Sequence, residues 1–315
     1  LNTVHELAEG IRSGDGRTLA RALTMVENGD PRAAVLLHEL YDPSATALTL
    51  GVTGPPGAGK SSMVNRLIAY WRGKGKKVGV LAVDPSSPFS GGALLGDRIR
   101  MQEHATDAGV FIRSMGSRGH LGGLSGSTRD SLELMIAAGY DPVMVETVGV
   151  GQAEVEVASL ADLTILVLVP GAGDEVQTMK AGIMEVADVI VLNKADAGGM
   201  DRLQTAVESS LELVPDGIGR PPVVRFSAKT GQGLELLVEK ILEEASSKTG
   251  DSRGARKRAM LVLESVLREK GRKMAASKVE EMFGGMEKAI DSVLRGETTP
   301  YGIGELLDKS FGEED

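Results

Sequence analysis

Apolar positions along the chain fall into three textures. Over residues 1–45 they recur at helical spacing, as with Leu19, Leu23 and Val26 at i, i+4 and i+7. Asp30-Pro31 supplies an N-cap residue followed by a proline at the first helical position, which predicts a helix running to about Leu40. From 46 to about 245, short β-rich runs take over: Ala47–Thr53, Lys77–Val83, Val110–Arg113, Pro142–Thr147, Leu163–Val169, Asp188–Asn193 and Pro222–Phe226. Most are apolar on consecutive positions, the pattern of strands covered on both faces. Helical stretches such as Ser61–Arg72 and Leu234–Ala245 lie between or after them. This alternation predicts an α/β fold with a doubly wound, mostly parallel sheet.

The third texture begins at a polar, Gly/Ser-containing joint over 246–254. Met260, Leu263, Val266 and Leu267 mark one amphipathic helix beyond it, and Val279, Met282, Phe283, Met286, Ile290 and Val293 mark a second. The second stripe is close to a 3.5 repeat, but over only about two heptads, too few for a long coiled coil. Thr299–Phe311 reads as a short tail with scattered apolar residues. The expected organisation is an N-terminal helical segment (1–45), an α/β domain (46–245) and a C-terminal helical region with a tail (246–315). Between Lys248 and Lys278 there are ten basic and three acidic residues. That surplus reads first as a solvated helix face, or one pairing with acidic surface of the same protein; a docking face is the sharper alternative.

Composition narrows the function classes. With no cysteine in 315 residues, disulfide scaffolds, thiolate metal sites and thiol catalysis are excluded. A net charge of −9 and 3% aromatic residues argue against general nucleic-acid binding. Leu163–Val169, the longest strongly apolar run, is far short of the roughly 18 residues of a membrane span. The first twenty residues mix His5, Glu6, Arg12, Asp15 and Arg17, unlike a signal peptide, so a soluble, cytoplasmic protein is expected.

Gly54-Pro55-Pro56-Gly57-Ala58-Gly59-Lys60-Ser61 fits GxxxxGK[ST] between a predicted strand and a predicted helix, the context that gives the motif its meaning. Glycines let successive backbone N–H groups turn inward around phosphate oxygens, and the helix N-terminus adds its positive end. Lys60 is expected to reach the β/γ-phosphates and the Ser61 hydroxyl to bind Mg²⁺, with Ser62 grouped beside them as nucleotide-binding. Asn193-Lys194-Ala195-Asp196 follows an apolar run and precedes Ser227-Ala228-Lys229 by one strand. A carboxylate at Asp196 accepts from guanine N1–H and N2–H₂ together, whereas adenine presents an acceptor there. Lys194 can lie along the base plane, and the Ser227–Lys229 triplet offers backbone N–H to guanine O6. GTP is therefore expected over ATP.

Asp84, Asp97 and Glu146 are the candidate carboxylates for Mg²⁺, an ion that favours oxygen ligands. Glu146-Thr147-Val148-Gly149 places a carboxylate at a strand end, with the Gly149 N–H positioned to sense a γ-phosphate. Glu146 is expected either to hold the Mg²⁺ shell or to order the attacking water. Gln152 and Glu154 follow, and the sequence does not rank them as water-orienting residues. The glycine-rich run Pro170–Glu175, with Gly171, Gly173, Asp174 and the later Lys180, reads either as a nucleotide-sensitive switch or as an ordinary βα connection.

Taken together, Gly54–Ser61, Val83–Ser87, Arg118–Gly123, Glu146–Gln152 and Asn193–Asp196 closely resemble the MeaB/ArgK family of SIMIBI-class P-loop GTPases. The resemblance runs over nearly the whole chain. It implies a homodimer, paired through the C-terminal helices, that hydrolyses GTP slowly and is stimulated by methylmalonyl-CoA mutase. Such a protein acts as a chaperone that gates adenosylcobalamin loading and protects or reactivates the mutase. It also implies Lys60 and Ser61 on phosphate and Mg²⁺, Asp84, Asp97 and Glu146 as the Mg²⁺ and catalytic carboxylate group, with Lys60, Glu146 and Asp97 the catalytic residues, and Gly171–Lys180 as a switch. His120 lacks the DxHxxG setting of cobalamin-binding domains and reads as a switch or structural residue. Two alternatives are a metal-delivery GTPase for nickel or zinc, disfavoured by zero cysteines and four scattered histidines, and a protein that binds GTP only to fold.

Overall fold

The computed structural model describes residues 3–84, 104, 106–116, 123–147, 160–171, 186–212, 220–249 and 252–312. Two compact units are present, Leu1–Lys257 and Arg258–Asp315.

The first unit opens with three helices: α1 (Val4–Arg12), α2 (Gly16–Glu27) and α3 (Pro31–Leu40). Each starts on a side chain that satisfies helix N–H groups left over at the first turn. Thr3 forms a reciprocal capping box with Glu6, Asp15 accepts from Arg17 and Thr18, and Asp30 accepts from Arg32 N at 2.9 Å. Proline at the first position of α3 completes the start expected from the sequence.

Seven strands follow: β1 (Thr49–Thr53), β2 (Val78–Asp84), β3 (Val110–Gly116), β4 (Val143–Thr147), β5 (Leu163–Leu168), β6 (Val189–Leu192) and β7 (Val223–Arg225). All pair in parallel, in the order β3-β2-β4-β1-β5-β6-β7. Every predicted strand is present, most with ends trimmed by one or two residues; β2 gains Asp84 at its end and β3 runs three residues further than expected. Between them lie α4 (Lys60–Gly73), α5 (Gly123–Ala137), α6 (Met200–Leu211) and, after β7, α7 (Leu234–Thr249). One sheet face is buried under α4 and α7 through Met63, Leu67, Trp71, Leu237 and Ile241. The other is covered by α1–α3 and α5 over the β2–β4 side, and by α6 over β5 and β6. The N-terminal helices thus share a core with the sheet; Leu19, Leu23 and Leu36 are at most 1% exposed.

Register is pinned at the lower edge of the sheet by three aspartates, each just before a strand. Asp141 accepts from Leu48 N at 3.0 Å, Asp162 from Thr49 N at 3.0 Å and Asp188 from Thr164 N at 2.7 Å. Each carboxylate takes an N–H at or next to the start of the neighbouring strand. At the upper edge, the chain leaves β1 toward β2 and β3 on one side and returns to β5–β7 on the other. The strand order reverses around β1, where ligands of doubly wound sheets bind.

The helices past residue 245 differ from expectation. The joint is shorter than 246–254: α7 runs to Thr249 and α8 (Ser252–Phe283) begins three residues later. Ser246 and Ser247 stay within α7, where their hydroxyls find acceptors in the Leu242 and Glu244 carbonyls at 2.8 Å instead of breaking the helix. A single 32-residue α8 carries both the Met260–Leu267 stripe and the start of the second one. The second stripe is broken by Gly284-Gly285, whose φ values of +73° and +116° end α8 before α9 (Met286–Leu294). The tail is a helix, α10 (Pro300–Gly312), with Thr299 Oγ1 accepting from Gly302 N at 2.9 Å and proline at its first position.

Candidate functional site

β1 delivers the chain into Gly54–Gly59, and α4 starts at Lys60, one residue before the expected position. Gly54 has φ +139° and a Cβ there would lie 2.2 Å from the Val167 carbonyl oxygen of β5, so the loop's first step requires glycine. Pro56 and Gly57 are exposed at the crest, while Pro55 and Ala58 are buried. Lys60 is 6% exposed; its Nζ donates to the carbonyl oxygens of Gly54 (2.5 Å) and Pro55 (3.2 Å). The ammonium therefore lies inside the arc of the loop. Ser62, on the first turn of α4, is exposed.

Strand register explains the next contact. Val52 of β1 pairs with Glu146 of β4, and the side chains of paired residues on neighbouring strands share a face. That face is the one α4 covers, since Val52 and Met63 lie in one core. Glu146 is thereby carried beneath the first turn of α4, where its Oε1 accepts from Ser61 Oγ at 2.5 Å. At 1% exposure this carboxylate is taken out of water, a cost that hydrogen bonds or a cation must offset. Two hard oxygen donors that the sequence assigns to Mg²⁺ thus converge from elements 85 residues apart. Asp84 ends β2 opposite Gly116, with its side chain outside the described residues.

The base-side residues gather on the other flank of the loop. Asn193 follows β6 and is 2% exposed. Its Nδ2 donates to Ala58 O at 2.7 Å, while Oδ1 accepts from Lys194 N at 2.8 Å and Ala228 N at 3.2 Å. One buried amide therefore joins the phosphate loop to both later motifs. Gly59 makes the approach possible: a Cβ there would lie 2.3 Å from Asn193 Nδ2, and its φ is +87°. Lys194 is the only non-glycine residue recorded at positive φ (64°) among the described residues, and its side chain is exposed. Such backbone strain concentrates at functional loops.

Asp196 is exposed at the loop end, with Oδ1 accepting from Ser227 Oγ at 2.6 Å. The Ser227 hydroxyl, followed by a backbone N–H and the Lys229 charge, holds its carboxyl below the usual range. It is therefore ionised at neutral pH and keeps lone pairs for two further donors. Lys229 itself is exposed. Arg66 of α4 escaped the sequence reading: it donates from Nε to Ala228 O and from a terminal nitrogen to Lys229 O, both at 2.8 Å. No local pattern announces a contact between residues 162 apart.

Gly171 turns just past β5. Asp97, His120, Gly149, Gln152, Glu154, Gly173, Asp174 and Lys180 lie outside the described residues. Among the described residues there is no group of three or more His, Cys, Asp or Glu side chains able to hold a metal ion.

The phosphate-loop motif, the part-buried Ser61–Glu146 pair and the Asn193–Asp196–Ser227 cluster thus meet at one edge of the sheet. The family model described as "Methylmalonyl Co-A mutase-associated GTPase MeaB" matches residues 19–280. This chain is a member of the MeaB/ArgK family of P-loop GTPases. Among MeaB-family relatives, a putative GTPase of Pyrococcus horikoshii is 44% identical, covering 99% of this chain and 100% of its own. GTPase ArgK of Escherichia coli is 41% identical over 80% of this chain and 78% of its own. The mitochondrial "methylmalonic aciduria type A homolog" of Mus musculus is 34% identical over 98% of this chain and 79% of its own. A crystal structure titled "LAO/AO transport system kinase" superposes with a TM-score of 0.68 at 29% identity, covering 99% of both chains. The chain is thus a GTP-hydrolysing enzyme of this family, and its sheet and flanking helices are those of a P-loop GTPase. Among the described residues no helix is long and apolar enough to cross a membrane.

Proposed function

We propose that this GTPase is a Mg²⁺-dependent chaperone of an adenosylcobalamin-dependent methylmalonyl-CoA mutase, coupling GTP hydrolysis to cofactor loading and to protection or reactivation of the mutase. The family description names that mutase, and the carrying observation on the chain is the linkage of its three nucleotide motifs through Asn193 and the Ser61–Glu146 pair. In a switch, the γ-phosphate must be felt at a distance, and a network of this kind ties the phosphate loop to the rest of the site.

The residues have separate tasks. Backbone N–H groups of Gly57–Ser61 and the Lys60 ammonium receive the β/γ-phosphates. Asp196 accepts from the guanine N1–H and 2-amino group, Lys194 lies along the base, and the Ser227–Lys229 loop donates to O6. Ser61 Oγ and Glu146 are the groups that would hold Mg²⁺, with Asp84 and Asp97 from the sequence completing the carboxylate set. A serine hydroxyl and a carboxylate hydrogen-bonded to each other at the mouth of a phosphate loop are hard oxygen donors of the kind that suits an ion held by few carboxylates and by substrate phosphates; the metal would replace the hydrogen bond between them. An Mg²⁺ ion held by these residues would supply positive charge to offset what develops on the phosphate oxygens. Glu146 shapes that site and keeps Ser61 oriented, while Gly149, Gly171, Gly173, Asp174 and Lys180 report the state of the γ-phosphate to the partner. Absence of cysteine leaves the metal-delivery alternative without thiolate ligands.

The C-terminal helices pair two copies of the chain. Met260, Leu263 and Leu267 on α8 and Leu294 on α9 are 54%, 57%, 61% and 79% exposed, and this apolar surface supports the reading. The reading is tested by multiple-turnover GTP hydrolysis with Lys60→Ala as control. Turnover that requires Lys60 supports it; GTP binding with no turnover by the native chain, with or without mutase, sinks the enzymatic part.

A further inference from the structure

Arg66 lies on α4, five residues past Ser61, on the flank of the stripe that buries Met63, Leu67 and Trp71. Its guanidinium reaches the carbonyls of Ala228 and Lys229, two successive residues of the base-side loop, at 2.8 Å each. A fork of fixed geometry on two adjacent carbonyls sets the position and the tilt of the peptide between them, which a single bond from a flexible ammonium does not. From the opposite side the same loop is held by Asn193 Oδ1 on Ala228 N and by Asp196 on Ser227 Oγ. Both of those partners belong to the loop after β6. Arg66 is the tie to the phosphate-binding helix.

We infer that Arg66 is a positioning residue for guanine recognition. It fixes the Ser227–Lys229 loop, and so the N–H donors meant for O6, at a set distance from the N-terminus of α4 where the phosphates bind. The inference rests on the guanine reading of Asp196 and the Ser227–Lys229 loop given above. It adds a residue whose position in the sequence, inside an ordinary amphipathic helix, carries no nucleotide signature. It also gives α4 two tasks, holding phosphate at its first turn and base height at its second.

Three diphosphates separate the contributions. GDP and IDP share O6 and differ in the 2-amino group that faces Asp196; ADP lacks O6. With the full chain, titration of Arg66→Ala should show about tenfold weaker binding of GDP and of IDP, with their ratio unchanged and ADP little affected. Arg66→Lys should recover only part of the loss, because an ammonium cannot grip both carbonyls. KM for GTP should rise by a similar factor while kcat stays within about twofold, the pattern of an interaction made equally in ground and transition states. Unchanged GDP affinity in Arg66→Ala would overturn the inference. So would an equal loss for ADP, which would make Arg66 a support of the phosphate helix, or a collapse of the GDP/IDP ratio, which would place its effect on Asp196. The underlying guanine reading fails separately: a native chain that binds ADP as tightly as GDP refutes it before any variant is made.

Discussion

Replacing Gly59 with alanine strikes the joint between the phosphate loop and the base-side cluster. Two costs follow from the structure. Gly59 sits at φ +87°, where a Cβ costs about 1–2 kcal/mol. That Cβ would also lie 2.3 Å from Asn193 Nδ2, so the amide must swing away and give up Ala58 O, a net loss of about 1 kcal/mol. Gly59→Ala should therefore destabilise the first unit by about 2–3 kcal/mol. Asn193→Ala removes all three bonds of a buried side chain, for about 2–3 kcal/mol of its own. In the double variant there is no amide left to displace. Its cost should fall short of the sum of the single costs by about 1 kcal/mol. The assay is urea unfolding of the nucleotide-free chain, followed by the fluorescence of its one tryptophan, Trp71, which is buried on α4. Costs that add to within about 0.5 kcal/mol would show that Gly59 and Asn193 act independently and would refute the joint.

Other expectations follow from single contacts. Glu146→Gln should slow hydrolysis while GTP affinity stays within about tenfold; a collapse of affinity in calorimetry would make Glu146 chiefly a binding residue. Leu263→Glu with Leu267→Glu should convert a dimer into a monomer in sedimentation velocity, and a persistent dimer would move the interface off α8. Asp30 is held at about 2 by the Arg32 guanidinium, with a backbone N–H adding to it, against 3.8 for an ordinary aspartate. Its folded-state value is depressed, so its stabilisation is complete above the unfolded value and is lost as pH falls toward the folded one. The gap in melting temperature between the native chain and Asp30→Ala should hold down to about pH 5 and close near pH 2; a gap still open there would contradict the assignment.

The sheet was legible because each strand is buried on both faces and so writes its burial into consecutive apolar letters, as in Leu163–Leu168. Gly54–Ser61 and Asn193–Asp196 were legible because phosphate and guanine demand fixed residue types at fixed local spacing. Contacts that depend on register and topology were not. Ser61 meets Glu146 only because Val52 pairs with Glu146, and Arg66 meets Ala228 only because α4 and the loop after β7 share one sheet face and edge. Helix α5 went unread because its early turns bury Thr128, Arg129 and Ser131 in place of an apolar stripe. In α8, polar residues and Gly271 mask a continuous helix from any periodic reading, whereas Thr299-Pro300 carried a helix-start signal that a scattered apolar pattern concealed.

The proposed function makes GTP turnover answer to a mutase. The direct measurement is the rate of GTP hydrolysis at saturating GTP and Mg²⁺ as a purified adenosylcobalamin-dependent methylmalonyl-CoA mutase is added. A strong, saturable rise that vanishes in Lys60→Ala is expected. Slow turnover that stays flat to a large excess of mutase would leave a GTPase of this family whose client is a different protein.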